Sequence, residues 1–290
     1  IYVEDLKSKE LINFKKKNKE AFNLLSYSKL NKIFLSKIKK SKFINFIKCN
    51  TNNSLLLNKI KNYDLVINTE YTNIISRKYF TKSITKNYKS YAYTFMINHK
   101  KINNNTASQI FTKYGPMAFL PVSNINTSIV FSCIGNRKSD EEILKLFNKY
   151  NNLYKINKIG NPEKFDLNFS MSRNYTEKNI LAFGDLIHRV HPLAGQGFNM
   201  TIRDIKILSK IVQKRISLGL PIDISVAHEF QQSTKHFNYL YGKAIDGIYE
   251  FFKLDNKLKN SISKPIFSIL NKNSYFKKYS NIFSEKGLNI

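Results

Sequence analysis

Glycine is absent from the first 114 residues of this 290-residue chain. That absence excludes from the stretch a Gly-x-Gly-x-x-Gly turn, with which many dinucleotide-binding folds hold a pyrophosphate at a helix N-terminus. Cysteine is also scarce. Cys49 and Cys133 stand far apart, which excludes a disulfide framework and a cysteine metal motif and fits a reducing compartment. No apolar run reaches the roughly 20 residues that a membrane-spanning helix needs.

Acidic residues are few: 20 Asp and Glu stand against 48 Lys and Arg, a formal net charge of +28. Such an excess suits nucleic acid or an anionic membrane. The lysines, however, are spread along the chain and accompany abundant Asn and Ile, which coding bias in an AT-rich genome also produces. Since the sequence has no zinc-ligand spacing and no RNP-type aromatic motif, we expect no nucleic-acid partner. A functional basic face would instead meet an anionic membrane surface holding a lipid substrate.

Hydrophobic periodicity predicts an α/β chain long enough to bury a core. The helix at residue 139 begins with Ser139 as a cap and acids in its first turn. The predicted strands lie at residues 1–3, 11–14, 43–47, 64–67, 91–97, 107–112, 128–133 and 165–171, and the predicted helices at 28–40, 139–150, 196–215, 223–252 and 254–270.

The most informative stretch is residues 179–209. A short apolar run predicts a buried strand, and the next residues, 184–199, read GDLIHRVHPLAGQGFN and open a helix with apolar residues three and four apart. A carboxylate at the strand end, Asp185, can accept hydrogen bonds from ligand hydroxyls. Glycines at a helix start let the backbone approach a ligand, where free N–H groups and the helix dipole favour negative charge.

This stretch resembles the second flavin motif of the FAD-dependent aromatic-ring monooxygenases, above all their ubiquinone-biosynthesis hydroxylase branch. The match extends through Arg203-Asp204 and departs at Leu186 and Ile187, where the family has alanines. The resemblance implies an α/β fold: a Rossmann-like FAD-binding domain without its Gly-x-Gly-x-x-Gly part, a mixed β-sheet substrate domain and a helical C-terminus. It implies FAD as cofactor, bound by Gly184, Asp185, Pro192, Ala194, Gly195, Gln196, Gly197, Phe198 and Asn199.

The same resemblance implies a role for each group. Asp185 would hydrogen-bond the ribityl chain, Pro192 would pack against the flavin ring, and the backbone of residues 195–199 would stabilise negative charge on the reduced ring. His188 and His191 are the obvious acid–base groups of the loop. We expect structural roles for both, and we assign no catalytic residue and no metal ligand.

Two further segments resemble parts of the family. Residues 64–77 fall where the family has a strand, Ala-Asp-Gly, Ser and Arg. Arg77 and Asn73 match, but Glu70, Tyr71 and Ile74 replace the Asp, Gly and Ser. Because that motif serves FAD and the nicotinamide cofactor, the departure weakens the case for NAD(P)H handling. Residues 115–121 read GPMAFLP and resemble a strand of the substrate sheet, whose apolar character suits a hydrophobic aromatic substrate.

These assignments predict four segments. They are a partial FAD-binding domain at 1–80, the substrate-domain sheet at 81–175, the Gly-Asp motif with its helix at 176–220, and C-terminal helices at 221–290. Because the family opens with the glycine-rich fingerprint and this chain begins at Ile1, we expect a fragment lacking roughly the first hundred residues of a family member. Alone, it would bind FAD weakly or not at all.

The implied reaction is ring hydroxylation of a polyprenylated phenol in ubiquinone biosynthesis, with NAD(P)H and O2. The implied partners are that substrate, an anionic membrane surface and other ubiquinone-pathway proteins, with the protein in the cytoplasm or peripheral at the inner face of the membrane. The alternative is a non-catalytic, decayed family member that acts as an interaction protein of the same pathway. The apolar side of helix 223–252 stays open between helix packing and a channel or membrane-facing patch for the polyprenyl tail.

Overall fold

The computed structural model describes residues 2–4, 10–13, 24–192 and 195–257. The fold is α/β, as the sequence predicted. In chain order the strands are β1 (Tyr2–Glu4), β2 (Glu10–Asn13), β3 (Val66–Asn68), β4 (Ser83–His99), β5 (Ser108–Thr112), β6 (Gly115–Ser123), β7 (Asn126–Ile134), β8 (Ile156–Ile159), β9 (Glu163–Ser172), β10 (Thr176–Glu177), β11 (Ile180–Ala182) and β12 (His188–Arg189). The helices are α1 (Tyr27–Lys40), α2 (Leu55–Lys59), α3 (Ile74–Tyr79), α4 (Asp140–Tyr150), α5 (Gln196–Ser217) and α6 (Ile224–Lys257).

The chain forms two compact units, Ile1–Asn50 with Tyr91–Phe165 and Thr51–Ser90 with Asp166–Ile290. Strands β4 and β9 each have residues in both units. None of the helices within the described ranges is long and apolar enough to cross a membrane.

The first unit is organised around the meander β5–β6–β7, paired antiparallel, with β1 added parallel to β5. Alternate residues of these strands point inward, so Met117 and Phe119 of β6 are fully buried, together with Phe147 of α4. Helix α4 starts as predicted: Ser139 Oγ accepts the Glu142 N–H at 3.2 Å, and Glu142 Oε2 accepts the Ser139 N–H at 2.8 Å. The cap fixes where the helix begins and therefore which face it packs on the sheet.

The second unit contains a small sheet of order β10-β11-β3, in which β11 runs parallel to β3 and pairs Leu181 with Ile67. Its core joins this sheet to α3, α5 and α6 through residues such as Leu181, Ile211 and Phe230. The apolar run at β11 is buried on both faces, which is why it reads as a continuous run rather than an alternation.

Two sequence predictions are wrong. Residues 43–47 form no strand, and Phe43 and Phe46 are 87% and 75% exposed; an apolar run becomes a strand only where a neighbouring strand takes its hydrogen bonds. Helix α6 continues through Leu254 to Lys257, because neither Gly nor Pro interrupts it there. The rest of the helix predicted at 254–270 lies outside the described residues.

Candidate functional site

The turn after β11 places Asp185 at the carboxyl end of the small sheet. The Phe183 N–H donates to the Asn68 carbonyl at 2.9 Å, which ties the strand end to β3. Gly184 then adopts φ +63°, a left-handed conformation that costs glycine little, and the Ile187 N–H closes the turn on the Gly184 carbonyl at 3.0 Å. The Asp185 side chain is exposed. A ligand beyond this strand end would therefore meet a carboxylate first.

The N-terminus of α5 is the second part of the site. Gly195 precedes the helix at φ +65° and ψ 25°, and its N–H donates to the Pro192 carbonyl at 3.2 Å. No side chain caps this 22-residue helix, and its first turn contains no acidic residue. Within the part of the chain that the structure describes, the first N–H groups thus have no capping side chain and can hydrogen-bond an anionic or carbonyl ligand. Ala194, which was predicted to bind the cofactor, lies outside the described residues.

His188 holds the loop to the helices behind it. Its Nε2–H donates to Asp204 Oδ2 at 2.7 Å, and both side chains are about 1% exposed. The Asn238 amide of α6 donates to both oxygens of the same carboxylate, at 3.1 and 3.2 Å. One buried carboxylate therefore joins β12, α5 and α6, and the position of His188 is structural.

His191 occupies an aromatic cage. Its ring stacks on Tyr249 at 4.1 Å between centroids and meets the edge of Tyr88 at 5.3 Å. Both ring nitrogens are buried without a hydrogen-bond partner among the described residues. Burial lowers the pKa of His191 to about 4, and the nearby Asp246 opposes this shift only in part. His191 is therefore neutral at pH 7 and fixes the backbone before Pro192 by packing.

The side chain of Gln196 is fixed by a hydrogen bond from α6. The Tyr241 hydroxyl of α6 donates to Gln196 Oε1 at 2.6 Å. The Arg203 guanidinium lies over the Tyr241 ring, 4.2 Å from its centroid. The side-chain oxygen of Gln196 thus positions the first turn of α5, while Phe198 and Asn199 are exposed at the helix start.

The segment between β3 and α3 forms a closed polar network. Asn73 caps α3 by accepting the Ser76 N–H at 2.9 Å, and its amide donates to Asn68 Oδ1 at 2.7 Å. The Glu70 carboxylate accepts the Thr72 hydroxyl and N–H at 2.6 and 3.0 Å, and these bonds lower the pKa of Glu70. Arg77, which together with Asn73 matched the family, donates to Asn52 at 2.8 Å. These polar groups are engaged within the chain.

Tyr71 links this segment to the flavin-like motif. The Arg189 guanidinium of β12 lies 4.4 Å from the Tyr71 ring centroid. A glycine at position 71, as in the family motif, would offer no ring for this contact. The replacement of that glycine by Tyr71 therefore adds a cation–π contact between the two motifs.

Comparisons with known proteins match this geometry. A sequence profile described as FAD binding domain matches residues 74–217. The mitochondrial ubiquinone biosynthesis monooxygenase COQ6 of Dictyostelium discoideum is 25% identical over 207 residues, with 57% of this chain and 41% of the relative covered. Ubiquinone hydroxylase UbiL of Rhodospirillum rubrum is 23% identical over 182 residues, with 59% of this chain and 42% of the relative covered.

The chain therefore contains a match to an FAD binding domain and is similar to FAD-dependent monooxygenases of ubiquinone biosynthesis. It spans less than half the length of these two relatives. The crystal structure of p-nitrophenol 4-monooxygenase PnpA from Pseudomonas putida has the same fold, with a TM-score of 0.62 at 11% identity over 77% of this chain and 59% of that one. The domain profile and the two relatives confirm the family resemblance drawn from the sequence, and the crystal structure confirms the fold.

The residues of this site fit the flavin end of FAD. A Cβ built on Gly195 would meet no atom within 4 Å, so the backbone there is open to a ligand. The exposed Asp185 carboxylate has no hydrogen-bond partner among the described residues and suits ribityl hydroxyls. The sequence contains no Gly-x-Gly-x-x-Gly element for the ADP half. Within the described residues, no cluster of three or more His, Cys, Asp or Glu could hold a metal ion.

Sequence reasoning left the supporting residues without roles. Asp204 was part of the recognised run, but nothing in the run shows that its carboxylate meets His188. Asn238 and Tyr241 lie 34 and 45 positions from the groups they hold. The one available signal in the sequence was a polar group on the otherwise apolar side of the predicted helix 223–252, which would need a buried hydrogen-bond partner.

Proposed function

We propose that this chain is the flavin-ring-binding and substrate-sheet portion of a monooxygenase that hydroxylates the ring of a polyprenylated phenol in ubiquinone biosynthesis. The ring carbon loses H and gains OH; NAD(P)H and a proton supply the remaining reducing equivalents, and the second oxygen atom of O2 leaves as water. When bound, FAD supplies the electron transfer between NAD(P)H and O2. The observation that carries the proposal is the open first turn of α5 beside the exposed carboxylate of Asp185.

The chain's own groups would bind and orient. The N–H groups at the start of α5 would stabilise negative charge on the flavin ring, since they are preorganised and no acid opposes them. The Asp185 carboxylate would accept hydrogen bonds from the ribityl chain. His191 would not act as a general acid at pH 7, because it is neutral and enclosed.

An apolar surface on β6 supports a hydrophobic substrate. Met117 and Phe119 point into the core of the first unit, while Pro116, Ala118 and Leu120 of the opposite face are half-buried. The names of the two curated relatives place those proteins in ubiquinone biosynthesis or hydroxylation. The ring of a polyprenylated phenol is the substrate class that agrees with both observations.

The second candidate is the non-catalytic member of the same pathway. The specific observation in its favour is the segment 68–77, where Glu70, Tyr71 and Ile74 replace family residues and the polar groups bond to one another. Such a protein would keep the fold and lose electron delivery from NAD(P)H. The two candidates differ in turnover with NAD(P)H and O2.

The test measures flavin binding and oxygen transfer by the complete gene product that carries this chain. Flavin fluorescence titrations should give an FAD Kd that Asp185→Asn raises by about tenfold, the scale of one charge-assisted hydrogen bond. With NADH or NADPH, a short-chain polyprenyl phenol and isotopically labelled O2, mass spectrometry should find one labelled oxygen on the ring.

The matched control is Asp166→Asn, an exposed carboxylate of β9 in the same unit, which should leave the FAD Kd unchanged. Flavin binding without a labelled product would favour the non-catalytic candidate. A protein that takes up no flavin would refute the enzyme proposal.

A further inference from the structure

Residues 24–50 form an exposed basic and apolar segment, here called the α1 segment. It contains seven lysines and no Asp or Glu. None of these lysines forms an ion pair with another described residue. Large apolar side chains in the same segment are also exposed, including Tyr27 at 81% and Phe43 at 87%. A domain of this size does not ordinarily leave so many large apolar groups in water, so their grouping indicates a surface that meets a partner.

Helix α1 divides these residues between two faces. Leu30, Phe34 and Ile38 follow one another four residues apart and share a face with Tyr27. Lysines 29, 32, 39 and 40 lie on the other side together with Ile33, and Lys37 lies at the edge of the apolar face. The helix has 14 residues, about 21 Å, and buries none of them. Leu30 and Ile38 are half-buried, whereas Phe34 is 55% exposed, so the described part of the chain covers this apolar face only in part.

The segment after α1 continues the same pattern without secondary structure. Phe43, Ile44, Phe46 and Ile47 are all exposed, and Lys42 and Lys48 flank them. Aromatic and aliphatic groups between lysines suit the boundary between lipid headgroups and acyl chains, where the rings enter the apolar layer and the ammonium groups meet anionic headgroups.

We propose that the α1 segment binds the surface of an anionic lipid bilayer, with α1 lying parallel to it. Charge complementarity decides the occupant. A segment that is rich in lysine and contains no acid would repel a second copy of itself. Nucleic acid phosphates would pair with the lysines but would not need the exposed apolar side chains. The proposal stands on charge and exposure alone, so it holds or fails independently of flavin binding.

The first experiment is vesicle flotation of the full chain after nuclease treatment. The chain should float with vesicles of phosphatidylcholine mixed with phosphatidylglycerol, but not with phosphatidylcholine alone, and less at high salt. Replacing three lysines together, Lys32→Gln, Lys39→Gln and Lys40→Gln, should lower the partition coefficient by about tenfold or more. The charge-matched control is Lys100→Gln, Lys101→Gln and Lys158→Gln, at exposed positions of the same unit.

A charge-neutral pair of substitutions tests whether the aromatic side chains enter the bilayer. Phe43→Ser with Phe46→Ser should also release the chain from anionic vesicles, since inserted rings contribute to binding. The controls Ile125→Ser and Leu153→Ser, exposed elsewhere in the unit, should not. Circular dichroism checks that each variant stays folded, which is expected because the substituted side chains are exposed.

The chain contains no Trp, so one introduced indole reports on this segment alone. The fluorescence of Phe43→Trp should shift to shorter wavelength on anionic vesicles, whereas that of Phe165→Trp, half exposed outside the segment, should not. Equal flotation with neutral vesicles, or flotation that depends on the lysines but not on the two Phe, would overturn the proposal. Self-association without lipid that Phe43→Ser abolishes would assign it to a second copy.

Discussion

At the scale of single residues, two histidines of one loop have opposite surroundings. His188 donates to a buried carboxylate, whereas His191 stacks between two tyrosines with no partner for either nitrogen. A sequence pattern cannot distinguish these two surroundings, since His188 and His191 lie on either side of the same two residues, Arg189 and Val190. What distinguishes them is which helix face packs behind each one.

The environment of His191 predicts acid sensitivity. Its pKa is about 4 in the folded protein against an ordinary value of 6.5, so the unfolded chain binds the additional proton between these values. The stabilising effect of a neutral His191 is complete above pH 6.5 and is lost as the pH falls toward 4. The free energy of unfolding should fall by about 3 kcal/mol over this window from this residue.

His191→Phe isolates that contribution, because it keeps the ring contacts and removes the titrating group. Urea denaturation at several pH values gives the free energy of unfolding as a function of pH. Between pH 6.5 and 4 this free energy should fall less steeply for the variant than for the unmodified protein, while above pH 7 the two free energies should differ little. Parallel slopes would mean that His191 is not enclosed as the structure has it.

At the scale of elements, local chemistry was predictable and distant packing was not. Ser139 and Glu142 lie within one helical turn, so the start of α4 could be read from the chain, and the strand–turn–helix of the flavin-like motif could be read for the same reason. Residues 43–47 have strand composition but no partner strand. The contact of Tyr241 with Gln196 depends on how α6 packs on α5, which periodicity alone does not determine.

The start of α5 gives a prediction that separates stability from binding. A Cβ at Gly197 would lie 3.8 Å from Val190 Cγ2, an ordinary contact, and Ala favours helix by up to about 1 kcal/mol over Gly. Gly197→Ala should therefore leave the free energy of unfolding unchanged or raise it. If a flavin approaches this backbone, the same substitution should raise the FAD Kd in fluorescence titrations.

Gly247→Ala is the matched control, since Gly247 lies within α6, exposed, with no atom within 4 Å of an added Cβ. It should give the same change in stability and no change in Kd. If both substitutions leave the Kd unaltered, then the backbone of Gly197 does not contact the cofactor.

At the scale of the whole molecule, charge opposes the compact state. Each unit has its own apolar core, around Phe119 and Phe147 in one and Leu181 and Phe230 in the other. Those cores must hold a chain of net charge +28 against its own repulsion. This balance is visible in composition, but the sequence alone did not show that the lysines of residues 24–50 stand beside exposed apolar side chains.

Salt should therefore stabilise the protein. Raising NaCl from low to above physiological concentration shortens the screening length below about 8 Å and weakens repulsion between exposed lysines. The thermal midpoint should rise, by about 2–4 °C for each kcal/mol gained. Salt also strengthens apolar burial to a degree, so the rise of the thermal midpoint with salt must be compared with that of a protein that has fewer charges.

The variant Lys100→Gln, Lys101→Gln and Lys158→Gln lowers the net charge by three without touching either core, and its thermal midpoint should rise less steeply with salt. Identical slopes would show that self-repulsion does not limit stability and that the lysines affect partners rather than folding.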